Sequence, residues 1–161
     1  MAKDKYNVDD ELIDRETGIL INKLGLRDES DIEDAETILL GSAYDKLLLE
    51  YSDTHIFTEN DVKYIHKVFL EEMYDWAGAY RSVDLISEDI RWCHARYIPS
   101  QMKDIDAMLK SLTPFNPDSE RDKILEDLAK IHGELVIVHP FRDGNGRTIR
   151  LLCDLLLTQA N

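Results

Sequence analysis

The stretch of this chain that decides its fold is His-Pro-Phe-Arg-Asp-Gly-Asn-Gly-Arg-Thr-Ile-Arg, residues 139–150. Apolar residues recur at steps of three and four before it, from Ile124 to Val138, and after it, from Ile149 to Leu156. This spacing is typical of helices that bury one face. The Gly-Asn-Gly triplet between the two runs is a strong turn signal. We therefore predict a turn that joins two helices and opens the second one.

The polar residues of this turn predict an anion site. A helix N-terminus preceded by glycines exposes backbone N–H groups and the positive end of the helix dipole. Arg147 and Arg150 are three positions apart, so they project from one side of the first turn and can fork phosphate oxygens. Asp143 is placed to hold Mg²⁺ on the same phosphates, and His139 can take a proton from an attacking hydroxyl. Together these residues predict a polyphosphate site with a base beside it.

The stretch resembles the signature of Fic-domain proteins, His-Pro-Phe-x-(Asp/Glu)-Gly-Asn-Gly-Arg-x-x-Arg, at every fixed position. Residues 76–81, Trp-Ala-Gly-Ala-Tyr-Arg, resemble the Trp-Ala-Gly-x-x-Arg segment of the same family. The resemblance extends over residues 55–161 and, more loosely, 22–51. Most Fic domains of known activity transfer AMP from ATP to a hydroxyl side chain of a protein. The resemblance therefore implies an enzyme, a nucleotidyltransferase with protein adenylyltransferase (AMPylation) activity.

The resemblance also implies a role for each residue of the signature. His139 is expected to deprotonate a Ser, Thr or Tyr hydroxyl of the target, whose oxygen attacks the α-phosphate of ATP and expels pyrophosphate. Asp143 is expected to hold Mg²⁺ between the α- and β-phosphates. The phosphates themselves are expected to be bound by the backbone around Gly144, Asn145 and Gly146 and by the side chains of Arg147 and Arg150.

A second functional element is predicted between the helices. Residues 82–86 and 90–93 are β-prone runs separated by Ser-Glu-Asp, which predicts a short β-hairpin. In Fic proteins this place holds a flap whose edge pairs with the backbone of the target, in the manner of strand addition. The resemblance implies that Ile86 and Ile90 clamp the target. The flap differs from the common glycine-rich form.

The rest of the chain is predicted to be helical. Helices are expected from about residue 32 to 51, from an N-cap at Thr58 to a stop at Gly78, from residue 99 to 112, and from an N-cap at Ser119 to the signature. The resemblance implies an all-α, Fic-type helical bundle with a β-hairpin flap near the active site.

Length predicts one domain, since 161 residues bury a single sizeable core. The expected organisation is a single Fic-type domain over residues 1–161, with its core at about 55–161 and an N-terminal helical extension at 1–54. Because Fic domains usually continue with more helices, we expect the full protein to extend beyond residue 161.

Composition excludes several classes of partner. A formal net charge of −14 argues against nucleic-acid binding, because there is no basic field to displace counterions from phosphates. No apolar signal segment opens the chain, and no stretch approaches a membrane span. The two cysteines, Cys93 and Cys153, are expected to stay reduced. We expect a cytoplasmic protein, or one delivered into a host cell.

Two other functions stay open at this stage. The chain can transfer another moiety, UMP or phosphate, although the intact Gly-Asn-Gly region favours AMP, since relatives that phosphorylate have diverged there. It can also be a catalytically idle Fic-like module that binds a nucleotide or a partner. The presence of His139 argues against an idle module, because idle Fic-like proteins tend to lack this histidine.

Regulation is expected to come from outside these residues. Fic proteins are commonly inhibited by a helix with the pattern (Ser/Thr)-x-x-x-Glu-(Gly/Asn), whose glutamate pairs with the second arginine of the signature, here Arg150. The only Glu before Gly or Asn is Glu59, and four positions earlier stands His55. The glutamate is therefore expected from a small antitoxin, with this chain as the toxin of the pair, or from a C-terminal part. The toxin-type N-terminal stretch favours the antitoxin, so the chain alone is expected to be active and toxic. The missing glutamate also argues against de-AMPylation.

Two further features are interpreted as structural. His66 and His132 fall in predicted helices without metal-ligand spacing, and we expect them to be core or surface residues. The acidic run at residues 28–36 is expected to be a solvated helix start.

Overall fold

Five α-helices carry the fold in the computed structural model, which describes Tyr6, Val8, residues 10–87 and residues 89–160. They are α1 (Glu29–Glu50), α2 (Glu59–Leu70), α3 (Ile98–Leu112), α4 (Arg121–Val138) and α5 (Asn145–Thr158). A 3₁₀ turn at Ala95–Tyr97 leads into α3. Within the described residues, β-type pairing is limited to two single bridges, Ile13–Leu20 and Ile86–Arg91. The all-α prediction is confirmed.

Local sequence signals explain most helix starts. Thr58 and Asp61 form a capping box at the start of α2, in which each side chain bonds to the other residue's backbone N–H. Asp28 caps α1 by accepting from the N–H of Ser30, so this helix begins slightly before the predicted position. The predicted cap at Ser119 is wrong by one residue. Its N–H bonds back to Asn116 within the preceding turn, and the helix begins after Glu120.

The predicted end of α2 at Gly78 is wrong. The carbonyl of Leu70 accepts from the N–H groups of both Met73 and Tyr74, and this tightening ends the helix at Leu70. Met73 remains fully buried, so the apolar spacing continues although the helix does not. Gly78 lies in the turn that follows, at φ 81°.

Helix α5 is the central element of the bundle and packs against α1, α2 and α4. Buried side chains surround it on most sides, including Thr148, Ile149, Leu151, Leu152, Leu155 and Leu156. Full burial of one such aliphatic side chain is worth about 1.5–3 kcal/mol. The N-terminus of α5, where the signature lies, is therefore held by the core.

The segment before α1 folds back over this core. Leu12 and Ile21 pair through a backbone hydrogen bond of 2.7 Å, and the N–H of Lys23 donates to the carbonyl of Met73 at 2.8 Å. None of the helices in the described ranges has the length and apolar content needed to cross a membrane. Cys93 and Cys153 are not paired with each other.

The predicted β-hairpin at residues 82–93 is reduced to one bridge. Ser87 N–H donates to Ile90 O at 2.9 Å and Trp92 N–H to Leu85 O at 3.3 Å, which closes a hairpin-like turn without a regular strand. Glu88, in the predicted turn, lies outside the described residues. An isolated two-stranded hairpin is marginal in water, and this one is held by the buried side chain of Leu85.

Candidate active site

The signature turn joins α4 to α5 through two residues with left-handed backbone. His139 ends α4 at φ 51° and ψ 62°, and Gly144 precedes α5 at φ 76°. A Cβ at Gly144 would lie 2.7 Å from the Cδ1 atom of Leu70. Glycine is therefore required there by both conformation and space. The close approach packs Gly144, at the start of α5, directly against the core.

The side chain of Asn145 closes this turn. Its Oδ1 accepts from the N–H of Phe141 at 2.8 Å, and its Nδ2 donates to the carbonyl of Phe141 at 2.8 Å. The side chain is buried, so only its backbone N–H faces toward the helix end. Asn145 thus shapes the loop, and any contact with a phosphate has to come from its backbone.

The imidazole of His139 presents one nitrogen as an acceptor. Its Nδ1 lies 3.3 Å from the carbonyl of Val136, to which we assign the N–H. Its Nε2 therefore carries the lone pair and lies 3.1 Å from the hydroxyl of Tyr6. The ring of Trp92, from the flap, lies 4.6 Å from the imidazole. A histidine held this way can accept a proton from a hydroxyl at Nε2.

A cavity of about 380 Å³ lies at the N-terminus of α5. Its walls come from three places: the N-terminal segment, one face of α1, and the signature. The signature contributes Asp143, Gly144, Asn145, Gly146, Arg147 and Arg150. The structure therefore brings together the predicted metal-binding and phosphate-binding residues around one space. A helix N-terminus and two guanidiniums lie at one part of that space, and α1 adds the carboxylates of Glu29, Glu33 and Glu36 to its lining.

The two arginines differ in their surroundings. Arg147 is half-buried and forms an ion pair with Glu36 of α1, with its guanidinium 5.0 Å from the ring of Phe69. Arg150 is exposed at the mouth of the cavity and makes no ion pair with any residue in the described ranges. Arg147 is thus held in place by neighbouring protein groups, whereas Arg150 is exposed.

These features are those of a known family. The Fic/DOC family model matches residues 56–157, which is more than half of the chain. The chain belongs to the Fic/DOC family. It is 32% identical over 144 residues to protein adenylyltransferase VbhT of Bartonella schoenbuchensis, with 88% of this chain and 29% of that protein covered. It is 29% identical over 147 residues to the probable protein adenylyltransferase Fic of Escherichia coli K12, with 88% and 69% covered.

The fold agrees with solved Fic domains. The N-terminal FIC domain of the effector Bep8 from Bartonella sp. 1-1C superposes with a TM-score of 0.81 at 22% identity, over 92% of this chain and 75% of that one. This likeness confirms the predicted Fic-type bundle. The chain spans less than a third of VbhT, at 29% of its length.

Asp143 of the Fic signature is the residue for which a magnesium-binding role is predicted. It lines the cavity, and its Oδ1 accepts from the N–H of Gly144 at 2.6 Å. Among the described residues no group of three His, Cys, Asp or Glu side chains could hold a metal ion. One carboxylate beside a phosphate cavity fits a cation that completes its shell with phosphate oxygens and water, as Mg²⁺ does.

Arg142, the variable position of the Fic signature, faces away from this cavity. Its side chain is 2% exposed, and its Nε donates to Oδ2 of Asp10 at 2.8 Å. A buried carboxylate from the N-terminal segment neutralises Arg142, so this residue adds no positive charge to the phosphate site. Arg142 instead fixes that segment to the signature loop.

Glu36 is a site residue that sequence reasoning missed. It is 6% exposed, pairs with Arg147, and accepts from the hydroxyl of Tyr74 at 3.1 Å. Burial and the neighbouring carboxylate raise the pKa of Tyr74, so its O–H remains a donor. The interpretation of residues 28–36 as wholly solvated is therefore wrong for Glu36. The sequence did indicate burial of Glu36, because its helical spacing places it on the same face of α1 as the buried Ala43 and Leu47.

Replacing Glu36 by glutamine is expected to lower the free energy of unfolding by about 2 kcal/mol, the size of a hydrogen bond to a charged group. Glutamine keeps the shape and the contact with Tyr74 but removes the closer of the two carboxylates that pair with Arg147, the other being Asp143 at 3.9 Å. Urea unfolding of the variant measures the effect. Glu33→Gln is the matched control, since Glu33 lies on the same helix, lines the same cavity and is exposed. Equal stability of the two variants would contradict the prediction.

His66 is a second residue whose role the sequence did not reveal. It was expected to be a core or surface residue, and it lies in the core. It is fully buried, with Nδ1 accepting from the N–H of Gly78 at 2.8 Å and Nε2 donating to the carbonyl of Asp143 at 2.9 Å. Its ring stacks on Phe141 at 3.8 Å. His66 therefore joins the Trp-Ala-Gly turn to the signature loop, and both of its nitrogens are used in the neutral state.

This neutral state makes stability depend on pH. Burial lowers the pKa of His66 from 6.5 to about 4. The unfolded chain then takes up a proton first, so stability is complete above pH 6.5 and is lost as pH falls toward about 4. The expected loss is about 3 kcal/mol. An NMR titration of His66 together with unfolding at several pH values measures it. A measured pKa of His66 near its ordinary value would overturn the prediction.

Arg81, which belongs to the Trp-Ala-Gly-x-x-Arg segment, joins His139 to the flap through hydrogen bonds. Its Nε donates to the carbonyl of His139 at 2.8 Å, its Nη1 to that of Val83 at 2.7 Å, and its Nη2 to those of Cys93 at 2.6 Å and Val138 at 3.2 Å. Burial lowers the pKa of Arg81. These bonds satisfy the last carbonyls of α4, which have no partner within the helix.

The predicted target-clamping residues lie on the exposed part of the flap. Ile86 is 39% exposed and Ile90 is 53% exposed, while Leu85 beside them is buried. The N–H of Cys93 bonds to the carbonyl of Ile137 at 3.2 Å, which fixes the flap against the end of α4. The flap therefore stands next to His139 and presents two apolar side chains to solvent.

Proposed function

We propose that this chain is a protein adenylyltransferase, which transfers AMP from ATP to a Ser, Thr or Tyr hydroxyl of a target protein and releases pyrophosphate. One arrangement carries the proposal. A histidine nitrogen that accepts from a hydroxyl lies at one end of the signature turn, and a helix N-terminus with two arginines lies at the other. The names of the VbhT and Fic relatives support AMP as the transferred group.

The mechanism begins with the acceptor. Nε2 of His139 takes the proton of the target hydroxyl, while the bond from Nδ1 to Val136 keeps the ring in the required tautomer. The hydroxyl oxygen attacks the α-phosphorus as the bond to the β-phosphate oxygen breaks. Arg81 holds the carbonyl of His139 and so fixes the direction of attack.

The nucleotide is held by the other end of the turn. The N–H groups at the start of α5 and the side chains of Arg147 and Arg150 bind the phosphates and stabilise charge that develops on them. Asp143 would hold Mg²⁺, which when bound neutralises phosphate charge and polarises the reacting phosphorus. Glu36 keeps the guanidinium of Arg147 in place for this contact.

The target and the regulator are proposed to use the two exposed features of the site. An extended target segment pairs with the flap, where Ile86 and Ile90 clamp it. A carboxylate from an antitoxin, or from a further part of the protein, pairs with the exposed Arg150 and competes with the terminal phosphate.

We also propose that residues 1–54 extend a single domain whose core is residues 55–161, since α1 packs on α2 and α5.

Incubation with lysate and labelled nucleotides tests the proposal. With Mg²⁺, label from α-labelled ATP is expected on lysate proteins, whereas label from γ-labelled ATP is not. Transfer from γ-labelled ATP alone would make the protein a kinase. Preference for α-labelled UTP would make it a uridylyltransferase, and no transfer from any nucleotide would leave it an idle binding module.

A further inference from the structure

The hydroxyl of Tyr6 stands where an acceptor hydroxyl has to stand. We propose that Tyr6 is itself an acceptor, so that the protein transfers the nucleotidyl group to its own N-terminal segment at this residue. This inference rests on the proposed AMP transfer and on His139 as its base. It adds a modification site that the resemblance to Fic proteins does not indicate.

The first observation is the contact between Tyr6 and the base. The phenolic oxygen lies 3.1 Å from Nε2 of His139, within the range of about 2.6–3.2 Å in which a general base takes a proton. Because Nδ1 of the same ring is assigned as donor to Val136, the phenol has to donate and Nε2 has to accept. This is the direction of proton transfer that the reaction needs.

The second observation is that Tyr6 occupies a built pocket. Its side chain is 4% exposed and meets the edge of Trp92 at 5.3 Å between ring centroids. Its ring also packs edge-on to His139 at 5.9 Å, and the guanidinium of Arg142 lies 6.0 Å away. Because three neighbours hold the ring of this tyrosine, its hydroxyl is kept in one position next to His139.

The third observation is the anchor of the segment that carries Tyr6. Asp10 forms a buried ion pair with Arg142, which is a neighbour of Asp143 in the signature loop. Farther along the same segment, the N–H of Ile21 donates a hydrogen bond to the carbonyl of Leu12. The acceptor and the phosphate site are thus fixed to the same loop, and such fixed proximity replaces a bimolecular encounter by an intramolecular one.

The proposed step balances without any further reactant. The proton of the Tyr6 hydroxyl passes to Nε2 of His139, and a bond forms between the phenolic oxygen and the α-phosphorus of ATP. The bond between that phosphorus and the oxygen bridging to the β-phosphate breaks, and pyrophosphate leaves with the bonding pair. The product is a phosphodiester between Tyr6 and AMP.

The contact also has a consequence for other acceptors. His139 is 9% exposed, and its Nε2 is engaged by Tyr6. A target hydroxyl can reach this nitrogen only when Tyr6 has moved away. Self-modification and target modification are therefore expected to compete for one base, and removal of the Tyr6 hydroxyl should abolish only the first of them.

The experiment uses purified protein with α-labelled ATP and Mg²⁺, without lysate, followed by peptide mass spectrometry. Four proteins are compared: wild type, Tyr6→Phe, Tyr97→Phe and His139→Ala. Tyr6→Phe keeps the ring and its packing and removes only the hydroxyl. Tyr97→Phe is the matched control, since Tyr97 is 49% exposed and its ring lies against Arg96 and His94. A parallel reaction with lysate measures target labelling by each protein.

Wild type and Tyr97→Phe are expected to carry AMP on Tyr6, whereas Tyr6→Phe should lose self-labelling by at least about tenfold and still label lysate proteins. The labelled fraction should stay constant over a roughly hundredfold dilution, as for an intramolecular step. Self-label mapped elsewhere, or self-labelling that falls with dilution, overturns the proposal. If lysate proteins are labelled through His139 and Tyr6 is never labelled, the inference fails while the proposed function stands. If nothing is labelled by any protein, both fail.

Discussion

Replacing His139 by asparagine is expected to lower the rate of AMP transfer by about 10²–10⁴-fold, the usual contribution of a general base. Asparagine tolerates the left-handed backbone that His139 adopts at φ 51°, so the turn keeps its shape while the base is lost. The measurement is the rate of label transfer from α-labelled ATP to lysate proteins. A thermal melt of the variant shows whether the fold is kept.

His132→Asn is the matched control for this variant, because His132 lies on the same helix and is exposed. It should transfer AMP at the wild-type rate. If His139→Asn keeps a rate close to that of the control, the base is another group. The contact between Nε2 of His139 and a hydroxyl then plays no part in catalysis.

Replacing Asp143 by asparagine is expected to lower transfer on the order of 10²-fold, since a metal ion on the phosphates contributes several kcal/mol to the stabilisation of the transition state. The amide oxygen can still accept from the N–H of Gly144, as Oδ1 does at 2.6 Å, so the loop should keep its conformation. The change removes the charge that would hold the cation and also the 3.9 Å ion pair between Asp143 and Arg147.

A Mg²⁺ titration of the transfer rate separates this effect from a general loss of activity. Half-maximal rate should require clearly more Mg²⁺ in Asp143→Asn than in wild type, whereas Asp118→Asn, at an exposed loop position, should titrate as wild type does. Identical titrations of all three proteins would show that the metal does not bind through Asp143.

The parts of the fold that were predicted correctly depend on short stretches of sequence. The capping box of Thr58 and Asp61, and Pro99 in the first turn of α3, act through bonds within one turn of helix. The signature turn is of the same kind, because Gly144 supplies a backbone conformation that few other residues adopt. The family itself could be named from residues 139–150, and its model matches them within residues 56–157.

The wrong predictions arose where long-range contacts override local preference. The apolar spacing through Met73 and Trp76 predicted that α2 would continue, but burial can be kept in a tightened turn as well as in a helix. The flap keeps the predicted chain reversal with a single bridge, while Leu85 is buried in the core and the N–H of Cys93 bonds to the carbonyl of Ile137.

By itself the sequence determined the helical class, the family, and the residues of the phosphate turn, because each of these follows from side chains that are neighbours along the chain. Only the tertiary structure decided which charges remain available to a ligand. Arg142 is buried and paired with Asp10, Arg147 is paired with Glu36 but lines the cavity, and Arg150 is exposed there. The partners come from α1 and the N-terminal segment, more than a hundred residues away in sequence. No local spacing encodes such pairs, since they exist only when packing removes both charges from water.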